Sequence, residues 1–163
     1  VVVGHTGASV LWGLVAGWSD GTELAYNPTY TRGTGFHGRS RSLRLRPDIA
    51  LFVQCGSSQG LHLFDAKFRL EGTLDPDADT KYKNNDLHKM HAYRDGIPAA
   101  RSAWVVYPGS KDEAWFDDGR RGLESVKGGV VQGVGALSVP PTGARAGLVG
   151  VLRVLFGENS GLG

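Results

Sequence analysis

The chain has 163 residues, within the roughly 100 to 200 residues of a single domain, and this length excludes a multidomain machine. Hydrophobic residues make up 40% and charged residues 21%, which excludes global disorder, and a formal net charge of +2 is too small to indicate a nucleic-acid partner by itself. The single cysteine, Cys55, excludes an intramolecular disulfide and a cysteine-rich zinc site, and no apolar run approaches the ~18 residues that span a bilayer.

These features predict one domain over residues 1–163, with its core at about 22–140, in a reducing compartment such as the cytoplasm. The chain begins Val1-Val2-Val3, without methionine and without the basic start and cleavage site of a signal peptide. We therefore expect it to be a fragment of a longer protein.

The first elements predicted along the chain are strands. Residues 22–26 are a weak strand candidate, and residues 61–68 are an apolar strand. Residues 43–54 also predict a strand, on which alternation defines two faces: Leu43, Leu45, Ile49, Leu51 and Val53 on one, and Arg44, Arg46, Asp48 and Phe52 on the other. Together the strands at 43–54 and 61–68 predict a long antiparallel hairpin.

A helix over residues 86–95 follows, capped by Asn85, with Leu87, Met90 and Ile97 on its buried side. Residues 102–107 and 133–139 predict further strands, whereas residues 147–156 fit either a helix or a strand. The order strand, strand, helix, strand indicates an α/β fold in which the helix joins parallel strands. The first 20 residues and residues 110–130 predict no definite element.

Charged side chains gather where the hairpin leaves the core. Asp65 and Lys67 are two apart on a strand and project from the same face, and Asp48 is expected to approach Asp65 across the ladder. Two neighbouring carboxylates repel unless a cation lies between them, and their hard oxygens suit Mg²⁺ or Mn²⁺. Lys67 is placed to stabilise negative charge on a phosphoryl transition state. This group predicts a metal site for phosphodiester hydrolysis.

The arrangement of Pro47-Asp48 and Asp65-Ala66-Lys67 on a hairpin resembles the PD-(D/E)xK nuclease superfamily. Together with the segments at 45–51, 63–69 and 86–95, it is similar to McrC-type restriction nucleases and their relatives. The resemblance implies a restriction-endonuclease-like mixed β-sheet flanked by helices, and a Mg²⁺-dependent DNA endonuclease of a restriction or defence system. It further implies a AAA+ NTPase motor as partner.

By the same resemblance, Asp48, Asp65 and the Ala66 carbonyl bind the ion and Lys67 is catalytic. Many superfamily members carry Gln and Tyr four apart on the following helix; Lys89 and Tyr93 stand there in this chain, and Lys89 is expected to contact phosphate. Many relatives also have a metal-binding Glu on a helix before the first strand. No helical Glu is evident before Glu23.

Five arginines precede Asp48 within fifteen residues: Arg32, Arg39, Arg41, Arg44 and Arg46. They fit a phosphate track leading to the metal equally as well as a solvated, flexible arm. Arg44 and Arg46 are the ones expected to face the cleft, because strand alternation groups them with Asp48.

Weaker patterns are read as structural. His88 and His91 are three apart on the helix but have no further ligands, and Asp75, Asp77 and Asp79 lack the turn glycine of an EF-hand loop. Glycine patterns at 33–38 and 56–60 lack the strand-to-helix context of a dinucleotide site or a nucleophile elbow.

Two other functions stay open. One is a nuclease-fold module that binds nucleic acid or a partner protein without cutting, and the other is cleavage of RNA or branched DNA.

Overall fold

A computed structural model describes residues 2–4, 14–54, 58–67, 84–128, 131–143 and 145–157. Its centre is an eight-stranded mixed sheet, whose strands in chain order are β1 (Val2–Gly4), β2 (Val15–Gly17), β3 (Glu23–Tyr26), β4 (Ile49–Val53), β5 (Gly60–Ala66), β6 (Ala100–Tyr107), β7 (Glu113–Phe116) and β8 (Gly133–Ser138). Two helices, α1 (Asn84–Gly96) and α2 (Ala146–Leu155), and one 3₁₀ helix (Leu123–Gly128) accompany it. In these ranges no helix has the length and apolar character to cross a membrane.

The sheet divides into an antiparallel half and a parallel half that meet at β5. Strands β1 to β5 pair in chain order, each antiparallel to the next. Strand β5 then pairs in parallel with β6, and β6 in parallel with β8, while β7 is an antiparallel edge strand beside β8. Because α1 joins β5 to β6, the chain returns to the same end of the sheet before β6 begins. The predicted α/β restriction-endonuclease-like mixed sheet is thus confirmed.

Each face of the sheet carries its own apolar cluster. On the first face α1 contributes Met90 and Tyr93, which pack with Leu61 and Leu63 of β5. On the second face Val151 and Leu155 of α2 pack with strand residues that include Trp104. These helices shield β5, β6 and β8 on both sides, which explains the continuous apolar runs in their sequences.

The predicted strand at 43–54 is wrong in its first half. Strand β4 begins only at Ile49, and Leu45 makes an isolated bridge to Tyr30. Leu43 is 69% exposed, and Leu45 packs on the α1 face, whereas Ile49, Leu51 and Val53 pack on the α2 face. The physical reason is Pro47, which has no N–H for the ladder and interrupts the alternation.

Other boundaries move by a few residues. Helix α1 begins at Asn84, so Asn85 lies in its first turn and is not its cap, and the helix extends to Gly96. Residues 147–156, open between helix and strand, lie mostly in α2. The strands expected at 22–26, 102–107 and 133–139 correspond to β3, β6 and β8. Asp75, Asp77 and Asp79 lie outside the described residues.

A buried polar network lies between β5 and β6. His62 is fully buried; its Nδ1 lies 2.8 Å from the Ser102 Oγ and its Nε2 lies 2.8 Å from the Ser58 carbonyl. Since a carbonyl only accepts, Nε2 carries a proton, and Nδ1 of the neutral ring accepts from the Ser102 hydroxyl. The Ser102 oxygen in turn accepts from the Trp104 indole at 2.7 Å. Burial lowers the pKa of His62 to about 4.

Candidate active site

The Asp65 carboxylate is the centre of the candidate site. It lies near the end of β5 and is only 1% exposed. One oxygen, Oδ1, accepts from Lys89 Nζ at 2.8 Å and from the Tyr93 hydroxyl at 3.1 Å, and the other, Oδ2, accepts from Lys67 Nζ. The structure therefore brings together the residues predicted on β5 and on the helix.

The electrostatics of this cluster keep Asp65 ionised at neutral pH. Burial alone raises the pKa of Asp65, but the hydrogen bonds and charges of Lys67 and Lys89 outweigh it and hold the pKa below its ordinary value of 3.8. Burial likewise lowers the pKa of Lys67, and its contact with Asp65 more than reverses this. Burial and then the nearby Asp65 charge raise the pKa of Tyr93, which stays a neutral hydroxyl donor.

Asp48 joins this centre from the other arm of the hairpin. Its Oδ2 accepts the backbone N–H of Ala66 at 2.7 Å, and its own carbonyl accepts the N–H of Asn27 at 2.7 Å. The charge of Asp48 also contributes to raising the pKa of the Tyr93 hydroxyl, as does that of Asp65. Both carboxylates therefore act on the same corner of the sheet.

The Ala66 carbonyl has no backbone N–H donor opposite it in the sheet. Lys67 donates its N–H to Val106 of β6, so the polar groups of Ala66 face the β4 side. Continuing the β4–β5 register by two positions places Pro47 opposite Ala66. Proline has no N–H, so the ladder offers this carbonyl no donor. The Pro-Asp pair thus both ends the ladder and supplies a carboxylate beside it.

These three oxygen donors fit a divalent ion such as Mg²⁺ or Mn²⁺, which prefers carboxylate and carbonyl ligands. Lys67 and Lys89 now supply the positive charge on Asp65, and their side chains are 30% and 42% exposed. Both amines can turn towards solvent when another cation occupies Asp65. Across the described ranges, no group of three or more His, Cys, Asp or Glu side chains is arranged for a metal.

Within the described residues, Glu23 does not take the place of the metal-binding Glu that many relatives carry on a preceding helix. Glu23 lies on β3 opposite Phe52, at the far end of β4 from Asp48, and its carboxylate contacts His37. His88 and His91 are exposed on α1 and do not contribute to the centre.

Tyr93 holds two parts of the site together. Its hydroxyl lies 2.9 Å from the Arg46 carbonyl and 3.1 Å from Asp65 Oδ1, and the residue is 2% exposed. We expect Tyr93→Phe to lower the free energy of unfolding by about 1 to 3 kcal/mol, because the single O–H proton that the buried Asp65 carboxylate and the Arg46 carbonyl share is lost. Chemical denaturation measures this loss; an unchanged midpoint and slope would show that water replaces the hydroxyl without cost.

Arg44 and Arg46 are exposed in the irregular segment before β4, so strand alternation does not orient them. Their predicted contact with nucleic acid stays a prediction. The segment itself is not a loose arm, because Arg41 donates its N–H to Gly96 and Leu45 exchanges two backbone hydrogen bonds with Tyr30. Sequence reasoning missed this fixation, since the partners are distant in the chain.

Comparison with known proteins agrees with this geometry. No curated protein and no solved structure matches the chain. A family model described as the PD-(D/E)XK nuclease superfamily matches residues 15–112, more than half of the chain, and includes Asp48, Asp65, Lys67 and the whole of α1. The narrower likeness to McrC-type nucleases stays a prediction. The chain belongs to the PD-(D/E)XK nuclease superfamily.

Proposed function

We propose that this domain is a metal-dependent DNA endonuclease that hydrolyses phosphodiester bonds. The observation that carries the proposal is the Asp65 carboxylate, buried at a strand end, which accepts hydrogen bonds from Lys67 and Lys89, with Asp48 immediately before the adjoining strand β4. Ion pairs with a purely structural role are usually exposed and need only one carboxylate. A site for a divalent ion needs more than one oxygen ligand, and a second carboxylate supplies it.

In this proposal Asp48, Asp65 and the Ala66 carbonyl hold Mg²⁺, with Mn²⁺ as a substitute. A divalent ion held there would supply Lewis-acid chemistry, which lowers the cost of negative charge on the phosphate oxygens and the pKa of a bound water. Lys67 donates hydrogen bonds to the phosphate as its charge grows, and so stabilises the transition state. Tyr93 keeps the Asp65 carboxylate oriented, and Lys89 contacts a phosphate oxygen.

DNA is proposed as the substrate because a nuclease centre at this edge adjoins the exposed Arg44 and Arg46. Guanidiniums bind phosphate without reading sequence, so they favour affinity over specificity. From the resemblance to McrC-type nucleases we propose a role in restriction or defence, in the cytoplasm, with a AAA+ NTPase motor as partner.

Plasmid cleavage tests the proposal. We expect supercoiled plasmid to be nicked or linearised with Mg²⁺ or Mn²⁺ and to stay intact with a chelator. Lys67→Ala should slow cleavage by about 10²-fold, because the phosphate loses a charged donor. The exposed Lys111 provides a matched control, and Lys111→Ala should cleave like the parent. Cleavage that persists in chelator, or that Lys67→Ala leaves unchanged, would contradict the proposal.

A second candidate is a nuclease-fold module that binds nucleic acid or a partner protein without cutting. The favouring observation is that the centre has two carboxylates and two lysines, so its charges already balance, and the described ranges supply no third acidic ligand. Salt-sensitive DNA binding with no cleavage under either metal would support this candidate instead. Cleavage of RNA or branched DNA in place of plasmid would identify a different substrate and leave the proposed centre unchanged.

A further inference from the structure

A large open cavity lies on the α1 face, at the opposite end of β5 from Asp65. Its volume is about 840 Å³. The cavity lies where β5 and β6 begin and where α1 ends, and its lining includes Arg41, Leu61, Arg94, Asp95 and Arg101. An open cavity of this size fits a segment of an extended ligand better than a single small ion.

The charge on its walls favours an anion. Three guanidiniums line it, from Arg41, Arg94 and Arg101, against one carboxylate, from Asp95. Arg41 and Arg101 are exposed, and within the described ranges neither forms an ion pair. Because Asp95 and the carbonyl end of α1 oppose an anion, these two arginines must supply the attraction.

Arg94 also lines the cavity but adds little attraction. Its terminal nitrogens bind Asp117 at 2.6 and 3.2 Å, so its charge is compensated. Its Nε is buried and, in the part of the chain that the structure describes, has no hydrogen-bond partner. Arg41 and Arg101 therefore carry the attraction for an anion.

A basic strip connects the cavity with the cutting centre. The segment 41–46 lies along α1, with the Arg46 carbonyl held by Tyr93 and the Arg41 N–H held by Gly96. Arg44 and Arg46 are exposed between these points, and Arg41 lines the cavity. The backbone of this strip is thus fixed at both ends, beside Tyr93 of the Asp65 centre and beside Gly96 at the end of α1 near the cavity.

The two ends of the path are a short stretch of nucleic acid apart. Asp65 and the cavity residue Leu61 are four positions apart on β5, which is roughly 13 Å at the rise of a strand. At 3.4 Å per base pair this corresponds to about four base pairs of duplex.

We propose that this cavity is a second phosphate-binding site, which holds the backbone of the nucleic acid about four base pairs from the bond that the Asp65 centre cuts. The inference rests on the proposed function for its ligand. Arg41 and Arg101 make the phosphate contacts, and they set how much nucleic acid must extend from the cleavage point for full affinity.

Salt-dependent binding of a fluorescent DNA duplex, measured by anisotropy in chelator, tests the site without requiring cleavage. The double variant Arg41→Gln/Arg101→Gln should bind roughly 10- to 100-fold more weakly at low salt. Its slope of log K against log salt should be shallower by about two, because two phosphate contacts are lost. The glutamines retain the first carbons of both side chains, including the Arg101 Cγ that lies close to Gly60, and circular dichroism checks the fold.

Two further variants separate local contact from general charge. Arg145→Gln/Arg153→Gln removes the same charge from the residue before α2 and from α2 itself, on the other face of the sheet, and should keep the parent slope. Arg41→Lys/Arg101→Lys keeps both charges and should therefore retain most of the parent's slope of log K against log salt. The cavity site would be overturned if the two glutamine variants had the same slope of log K against log salt, whether or not that slope differs from the parent's.

The outcomes also separate this inference from the proposed function. Loss of slope in a protein that never cleaves would support the cavity and refute the nuclease. If the protein cleaves DNA and Arg41→Gln/Arg101→Gln leaves the slope of log K against log salt unchanged, the cavity site is refuted and the nuclease function is supported. No binding of DNA by the parent protein in chelator would refute the cavity site and leave the proposed function to the cleavage assay.

Discussion

Asp65→Asn should reduce plasmid cleavage by at least about 10³-fold, the largest loss expected from any single substitution in this domain. The amide keeps the shape of the side chain but removes the charge that Lys67, Lys89 and a divalent ion all require. Losing several kcal/mol of transition-state stabilisation corresponds to a rate loss of this size. Gel-based cleavage rates under excess Mg²⁺ and Mn²⁺ measure it.

The fold should survive this substitution, because the two amines freed by it are partly exposed and can turn to water. The matched control is Asp118→Asn, an isosteric change at an exposed carboxylate that pairs with Arg120. That variant should cleave like the parent. Cleavage by a folded Asp65→Asn protein within tenfold of the parent rate would remove Asp65 from the chemistry.

Acid should destabilise the domain through His62. The unfolded chain protonates this histidine near its ordinary pKa of 6.5, whereas the folded chain does so only at about 4. Between these values the unfolded state binds a proton that the folded state does not. The stabilisation is therefore complete above pH 6.5 and is lost as the pH falls towards 4, by about 3 kcal/mol in total.

Urea unfolding measured from pH 7 to pH 4 tests this loss. The glutamine of His62→Gln does not titrate. The free energy of unfolding of this variant should therefore fall by about 3 kcal/mol less than that of the parent over this pH range. The exposed His88 on α1 provides the control, and His88→Gln should follow the parent curve. The Asp65 carboxylate titrates below this window, since its pKa is lower than 3.8. Parallel curves for His62→Gln and the parent would refute a buried neutral His62.

The sequence was sufficient to predict what depends on neighbours in the chain. A continuous apolar run located β5, helical spacing located α1, and the two-residue step from Asp65 to Lys67 placed both side chains on one face. Lys89 and Tyr93, which the family resemblance singled out, share one face of α1 by their four-residue spacing, and both contact Asp65. Each of these inferences needed only the period of one element and the order of elements along the chain.

Features that depend on distant partners were beyond sequence reasoning. The short β7 reads as irregular by itself, because its pairing with β8 is what makes it a strand. The bend at Pro47 moved Leu45 to the opposite face, which a continuous alternation could not show. The cavity needed both the α1 terminus and the beginnings of two strands. These elements meet only after the sheet has formed.

The position of the acidic pair on one hairpin has a consequence for the order in which the domain assembles. Asp48 and Asp65 lie at the open end of the β4–β5 pair, so closing one short loop is enough to bring them together. Lys89 and Tyr93 arrive only when α1 docks, across a longer closure. During synthesis the whole hairpin segment leaves the ribosome before α1 does, because it comes first in the chain. A nascent chain at that stage holds two mutually repelling carboxylates with Lys67 alone to offset them, and docking of α1 is the step that relieves this repulsion.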